Sequence, residues 1–433
     1  MSLEQLPQAI SPAQTLVPPL EQQPSQSSGA DQLEFDYDLA IVGGGVVGAT
    51  LACALQDSGL SVALIEAQPQ SVAIAKGQAY AVSLLSSQIF QGIGVWEAIR
   101  SQIAMFQQIR LSDADYPGVV QFLPKDLGRT DALGYVAEHR VLLGALQEFL
   151  QHCTHVSWLC PAKVVETQYQ AQGVILKLLI GEETRWVRTR LVVAADGMRS
   201  QIRQAAGIRT HGWQYWQSCI VTTVQPENSH NNIAYERFWP SGPFAILPLP
   251  GNRCRIVWTA PRAEAEALVA LDDEQFLAEL SRRYGDQMGQ LSLVEGRFVF
   301  PVQLMHSDRY VLPRLALVGD AAHCCHPVGG QGLNMGIRDA AALAQVLQSA
   351  YQQGEDIGAL QVLKRYERWR KRENLAILGF TDLLDRCFSN NWLPLVAVRR
   401  LGLWLLKTVH PAKSYALQLM TGLRGRTPKL AQR

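Results

Sequence analysis

The stretch Leu39-Ala40-Ile41-Val42-Gly43-Gly44-Gly45-Val46-Val47-Gly48 decides how the rest of this chain is read. An apolar run stops at three glycines, and a second apolar run, Ser61-Val62-Ala63-Leu64-Ile65, stops at Glu66. Strand, glycine turn, helix, closing glycine (Gly59), strand and acid follow in the order of a dinucleotide-binding βαβ unit. Gly43 permits the tight turn, Gly45 leaves bare backbone for a pyrophosphate, and Gly48 lets the helix pack close to the sheet. The helix start presents unpaired N–H groups and the positive end of its dipole to the phosphates. Glu66 stands about 20 residues beyond the glycines, where a carboxylate accepts hydrogen bonds from ribose hydroxyls.

At 433 residues the chain exceeds the size at which one core stops growing, which predicts two domains. Its apolar content of 48% supplies those cores, and a formal net charge of +1 argues against nucleic acid as a partner. Eight cysteines lie scattered without a C-x-x-C pair, which predicts a reducing compartment and no disulfide framework. The run His323-Cys324-Cys325-His326 has the residue types of a metal site but not the spacing, because four consecutive side chains do not converge on one ion; it predicts a turn after a strand and no metal. Residues 1–36, rich in Gln, Ser and Pro, predict a disordered tail and not a signal peptide. No run reaches the roughly 18 to 20 apolar residues of a membrane span, so the expected location is cytoplasmic, with peripheral membrane contact left open.

Along the chain, Val82 to Ile99 has helical character. Gln107 to Leu123 reads as strands around Tyr116-Pro117-Gly118, and Val141 to Leu150 as a helix. Strand-turn-strand patterns fill Ala162 to Ala195, with a turn near Gly181-Glu182-Glu183. Residues 208–310 change in character: alternating stretches around Ile220–Val224, Ile233–Trp239 and Arg253–Trp258 predict an antiparallel sheet, interrupted by one helix over about 264–284. A buried parallel-type strand returns at Leu315-Ala316-Leu317-Val318, and a long helix is expected from Leu333 to Tyr351. The nucleotide-binding domain is thus discontinuous, with a sheet-rich domain inserted into it.

Two further glycine–acid pairs end apolar runs. Leu191-Val192-Val193-Ala194-Ala195-Asp196-Gly197 is followed by Arg199, Ser200 and Arg203; Leu317-Val318-Gly319-Asp320 is followed by Pro327-Val328-Gly329-Gly330-Gln331-Gly332-Leu333-Asn334. In open α/β sheets ligands bind beyond the carboxyl ends of strands, where such an acid can hold a polyol.

G-x-G-x-x-G, then Asp196-Gly197, then Gly319-Asp320 resembles the class A flavoprotein monooxygenases, the aromatic hydroxylases with the para-hydroxybenzoate hydroxylase fold. The resemblance spans about 37–375. It implies an α/β fold in which a discontinuous Rossmann-like FAD-binding domain (37–105, 134–207 and 309–375) carries an inserted antiparallel-sheet substrate domain (106–133 and 208–308). It implies that Gly43, Gly45 and Gly48 face the FAD pyrophosphate, Glu66 the adenosine ribose, and Asp320 the ribityl and pyrophosphate region. Asp196 and Gly197 would lie near FAD and the NADH or NADPH approach. Gly332, Leu333 and Asn334 would line the isoalloxazine ring, where the N–H groups of a helix start suit the negative charge of reduced flavin.

The tail narrows the likeness. Phe380-Thr381-Asp382-Leu383-Leu384, Arg399 to Trp404, Met420-Thr421-Gly422-Leu423, Tyr366 to Arg372 and Tyr135-Val136-Ala137-Glu138-His139-Arg140 are similar to the ubiquinone-biosynthesis flavin hydroxylases, which would place Arg140 near the flavin phosphates or ribityl. Gln78 stands where relatives carry arginine. The likeness implies hydroxylation of a prenylated phenol with NAD(P)H and dioxygen; no catalytic acid or base is identified. Tyr235, Phe238, Trp239 and Phe244 lie on strands of the expected roof, as core or as substrate contacts. A helical C-terminal segment, 376–433, is basic: residues 387–433 hold eight Lys/Arg, no acid, and Trp392 and Trp404. It docks on a membrane or a quinone-synthesis partner, or packs on its own core. Another flavin oxidoreductase on the same frame, or a non-catalytic flavin-binding scaffold, stays open as an alternative.

Overall fold

The computed structural model describes residues 34–75, 77–113, 118–129, 131–390 and 392–432. The expected tail, apart from its last three residues, and the Tyr116-Pro117 part of the expected turn lie outside the described residues. Tyr37–Val42 is the central strand of a parallel array. Val62–Ile65 and then Val156–Leu159 flank it on one side, Glu183–Ala194 and then Leu315–Leu317 on the other, and every one of these pairings is parallel. Helices cover the array, so the strand segments at its centre are apolar runs, and Leu39, Ala40, Ile41, Leu191, Val192 and Val193 are fully buried. The helix Val46–Ala54 packs against Gly332–Gln352 and His139–Leu150. Lys163–Tyr169 and Val174–Ile180 extend Glu183–Ala194 as an antiparallel meander.

One consequence of this order governs the site. Val42, Ile65, Ala194 and Leu317 all end at the same carboxyl edge, so Gly43–Gly45, Glu66, Asp196–Gly197 and Gly319–Asp320 leave the sheet side by side.

The second large sheet runs in the order His323–Cys324, Phe298–Ser307, Thr210–Pro226, Arg253–Pro261, Gly242–Leu249, Ile233–Trp239, Gln108–Asp113 and Val119–Phe122. It is antiparallel except where Gln108–Asp113 joins Ile233–Trp239 in parallel. One face buries Phe244 and Trp258 against Phe276 of the helix Asp273–Tyr284; the other turns Ala234 and Phe238 toward a separate core with Phe106, Phe122 and Phe388. The single helix expected over 264–284 is two helices, Arg262–Ala270 and Asp273–Tyr284. Leu271 is extended, and the Asp272 carboxylate accepts from the Gln275 N–H at 2.8 Å, an N-cap that restarts the helix.

Three helices finish the chain: Leu360–Phe388, Leu393–Thr408 and His410–Thr421. The first crosses the 375/376 division expected from sequence without a break. Among the described residues no helix is long and apolar enough to cross a membrane.

Candidate active site

A cavity of about 1190 Å³ lies between the carboxyl edge of the parallel sheet, the inner face of the second sheet and the C-terminal helices. Gly43, Gly45, Glu66, Asp196, Gly197, Asp320, Gly332, Leu333 and Asn334 all line it. Segments separated by nearly three hundred positions therefore meet at one surface.

The glycines do different work. Gly43 has φ +110°, and a Cβ there would sit 2.3 Å from the Ala195 carbonyl oxygen. A Cβ on Gly45 would meet nothing, so its backbone faces open cavity. Gly48 does not line the cavity; a Cβ there would lie 1.9 Å from the Gly43 carbonyl oxygen, and its place is the close contact of helix and turn. Glu66 fixes the turn as well: its carboxylate accepts from the N–H groups of Gly44 and Gln68, each at 2.8 Å.

Two helices start at the cavity, Val46–Ala54 after Gly45 and Gly332–Gln352 after Gln331, and neither has a side-chain cap. Their first N–H groups lack intrahelical acceptors and point their dipoles at the space. Arg199 and Lys163 also line it, exposed and paired with no carboxylate among the described residues. Such a surface suits a polyanion.

The acids sit among these groups. Asp196 leaves Oδ1 buried without a partner, while Oδ2 accepts from the Ile202 N–H at 3.3 Å. Asp320 is exposed only in the sense that it opens into the cavity. Protein surrounds it, and this desolvation raises its pKa, with the Asp339 charge adding and His323 opposing. Behind it lies a buried network absent from the sequence reading. Asp339 accepts from His323 Nε2 at 2.6 Å, Arg370 Nε at 2.8 Å, Asn374 Nδ2 at 3.0 Å and the Gly319 N–H at 3.1 Å. Burial alone would raise Asp339; its attraction to His323 and Arg370 and the hydrogen bonds from both outweigh it and hold the carboxyl down at about 2. This carboxylate pins the Gly319-Asp320 turn to the helix behind it. The four-residue run that contains His323 splits in space: His326 lies 3.5 Å from Asp385 instead.

Asn334 is a clasp. It accepts from the Ser83 N–H at 2.8 Å and the Ser86 hydroxyl at 2.7 Å, and donates to the carbonyls of Ala81 at 2.7 Å and Gly330 at 2.8 Å. Arg140 does not line the cavity; its side chain is 66% exposed and pairs at 2.9 Å with Glu138, which also takes Arg253 at 3.2 Å. The neighbouring His139 lines the cavity instead, with Nε2 3.0 Å from the Ala73 carbonyl oxygen. Gln78, at the position of the departure, lies on the wall and accepts from the Tyr80 hydroxyl at 2.6 Å.

The far half of the cavity is apolar. Of the four aromatic residues singled out from sequence, Phe238 faces it; Tyr235 borders it but packs, with Trp239 and Phe244, against the core on the other side of the sheet. Phe106, Phe122, Phe298, Phe300 and Phe380, not anticipated, complete the aromatic wall, and Leu406, Ala416 and Met420 close it from the C-terminal helices. Phe238 stacks on Phe388 with ring centroids 3.9 Å apart.

Comparison with known proteins agrees with this geometry. A family model described as FAD binding domain matches residues 36–381. A Synechocystis protein, slr1300, is 55% identical over 397 residues, covering 91% of this chain and 95% of its own. The ubiquinone hydroxylase UbiL of Rhodospirillum rubrum is 41% identical over 379 residues, covering 87% of each chain. Among solved structures, the p-nitrophenol 4-monooxygenase PnpA of Pseudomonas putida superposes with a TM-score of 0.77 at 19% identity, covering 91% of this chain and all of its own, which shows the fold. The chain thus belongs to the FAD-binding flavoprotein monooxygenases and, within them, to the branch of the ubiquinone-biosynthesis hydroxylases.

Proposed function

We propose that this flavoenzyme hydroxylates the aromatic ring of a prenylated phenol that is a quinone precursor. The observation that carries the reading is the two-part cavity: a polar mouth with two uncapped helix starts opens into a chamber walled by aromatic and aliphatic side chains. The residues present fit FAD. Gly43, Gly45 and the start of Val46–Ala54 would hold the pyrophosphate with Arg199 or Lys163 as counter-charge, Glu66 would take the adenosine ribose, and Asp320 the ribityl hydroxyls. Gly332 and Leu333 would offer backbone N–H groups to the ring system, with Asn334 holding that backbone in place, and Asp196-Gly197 would border the NAD(P)H approach. Gly48 acts through packing, and Arg140 through its surface pair with Glu138. Bound there, FAD supplies the redox chemistry that activates dioxygen with electrons from NAD(P)H.

The chain's own residues do the rest. Phe106, Phe122, Phe238 and Leu406 exclude water from the chamber and orient a planar ring between them. The same C-terminal helices support docking on a bilayer from which an apolar substrate is drawn. On Leu393–Thr408, Leu406 faces the cavity, while Leu393, Val398, Leu401 and Trp404 are more than half exposed in a segment free of acidic residues.

The test is reconstitution with FAD followed by NAD(P)H oxidation with and without a short-chain ortho-prenylphenol. The expected result is phenol-stimulated oxidation with one hydroxylated ring formed for each NAD(P)H consumed. A protein that stays colourless, or one that is reduced yet never hydroxylates any phenol offered, ends the proposal.

A further inference from the structure

Glu236 is set in the apolar chamber where no other charge helps it. Alternate residues Ala234, Glu236 and Phe238 of Ile233–Trp239 line the cavity. The register places Glu236 opposite Leu111 on one side and Ala245 on the other; Ala245 faces Val257, and Val257 faces Val221. All five side chains line the cavity, and Glu236 is the single polar member of that row across five strands. Among the described residues no donor reaches its carboxylate, and burial raises its pKa to about 8.

The other ionisable groups of this face are engaged. Arg255 donates to the Thr223 hydroxyl and to Glu295, each at 2.9 Å, and to the Gly77 carbonyl. Asp113 is held by Arg399 at 2.8 Å, and Asp385 accepts from Ser389 at 2.7 Å and Gln217 at 3.3 Å. Tyr80 donates to Gln78, and Cys219, near Glu236, is a thiol pushed up to about 12 by burial. An unpaired acid in an apolar wall costs stability, and such groups gather at functional sites.

We propose that Glu236 is the catalytic acid–base for the ring hydroxyl of the phenolic substrate. This rests on the hydroxylase reading above. As the ring carbon forms its bond to one oxygen atom of dioxygen, the phenolic O–H proton passes to the Glu236 carboxylate. When the ring regains aromaticity, the C–H bond at the attacked carbon breaks, that proton leaves to solvent, and Glu236 returns its proton to the phenolic oxygen. The second oxygen atom leaves as water, with the two electrons drawn from NAD(P)H. A carboxyl titrating near 8 lies close to the operating range in which proton transfer is most effective.

Glu236→Gln keeps shape and hydrogen-bonding capacity but takes no proton. With a short-chain ortho-prenylphenol, bound flavin and phenol-stimulated NAD(P)H oxidation should stay within about twofold of the parent, while hydroxylated product falls about 100-fold and hydrogen peroxide replaces it. The parent's rise in product formation as pH increases through about 8 should vanish in the Gln variant and persist, displaced, in Glu236→Asp. A Gln variant that forms product at the parental rate with the same pH limb overturns the proposal, as does one that folds but loses its flavin. A parent that hydroxylates no phenol fails before any variant is made, and that outcome removes the hydroxylase reading itself.

Discussion

The two halves of the cavity are made from different materials. The polar half is made mainly from backbone, helix starts and glycine turns, held by carboxylates that accept from its N–H groups. The apolar half is made from side chains that share one face of a sheet. Backbone sites tolerate few residues at a given position, because an added Cβ collides or a φ turns positive. Side-chain sites tolerate many, because any apolar residue of fitting volume excludes water.

The comparison is strained most severely at Asp339. Asp339→Ala removes the acceptor shared by His323, Arg370 and Gly319, leaves Arg370 with Glu373 as its one carboxylate partner, and should cost about 3 kcal/mol, read as a fall in thermal midpoint with loss of flavin. The pH dependence follows from the depressed carboxyl. Its stabilisation is full above the ordinary carboxylate range and is lost as pH falls toward about 2, so parent and variant should converge in acid. An undiminished midpoint at neutral pH would show that the turn holds without its anchor.

Gly48→Ala should come next, at about 1–3 kcal/mol, since its methyl has no room before the Gly43 carbonyl. Flavin content should fall although residue 48 lines no part of the cavity; full retention of flavin would mean the turn shifts freely.

The effect at Glu236 should carry the opposite sign. Glu236 has a folded pKa raised by burial, so its contribution is intact below the ordinary carboxylate range and is lost as pH rises through about 8. Glu236→Gln should therefore match the parent near pH 4 and exceed it in thermal midpoint by a margin that grows steadily up to pH 8. A variant less stable than the parent at pH 8 would reveal a partner for that carboxylate and sharpen the contrast between the halves.

What was legible in sequence divides along the same line. Gly43, Gly45, Glu66, Asp196 and Asp320 announce themselves because strand ends at one sheet edge need those residue types in that order. Gly48 was legible as a packing glycine, but the resemblance also set it against the pyrophosphate, and the fold keeps it off the cavity wall. Arg140 follows Glu138 by two positions, and only the fold brings Arg253 to complete that surface pair. The Asp339 network draws on three segments and leaves no local pattern. Glu236 reads as an ordinary strand residue until the register shows which neighbours it has, and the same parity separates Phe238 from Trp239.

The helix Leu360–Phe388 fastens Arg370 to the turn beneath Asp320 and Phe388 to the underside of Phe238. Those two anchors are about 27 Å apart on a single rod. The sheet-rich portion is therefore not a module that can be lifted out or swapped between relatives at its loop boundaries. A chimera would inherit the rod from one parent and must match both of its ends, so grafting the roof without residues 360–388 would leave the new chamber unroofed on its helical side.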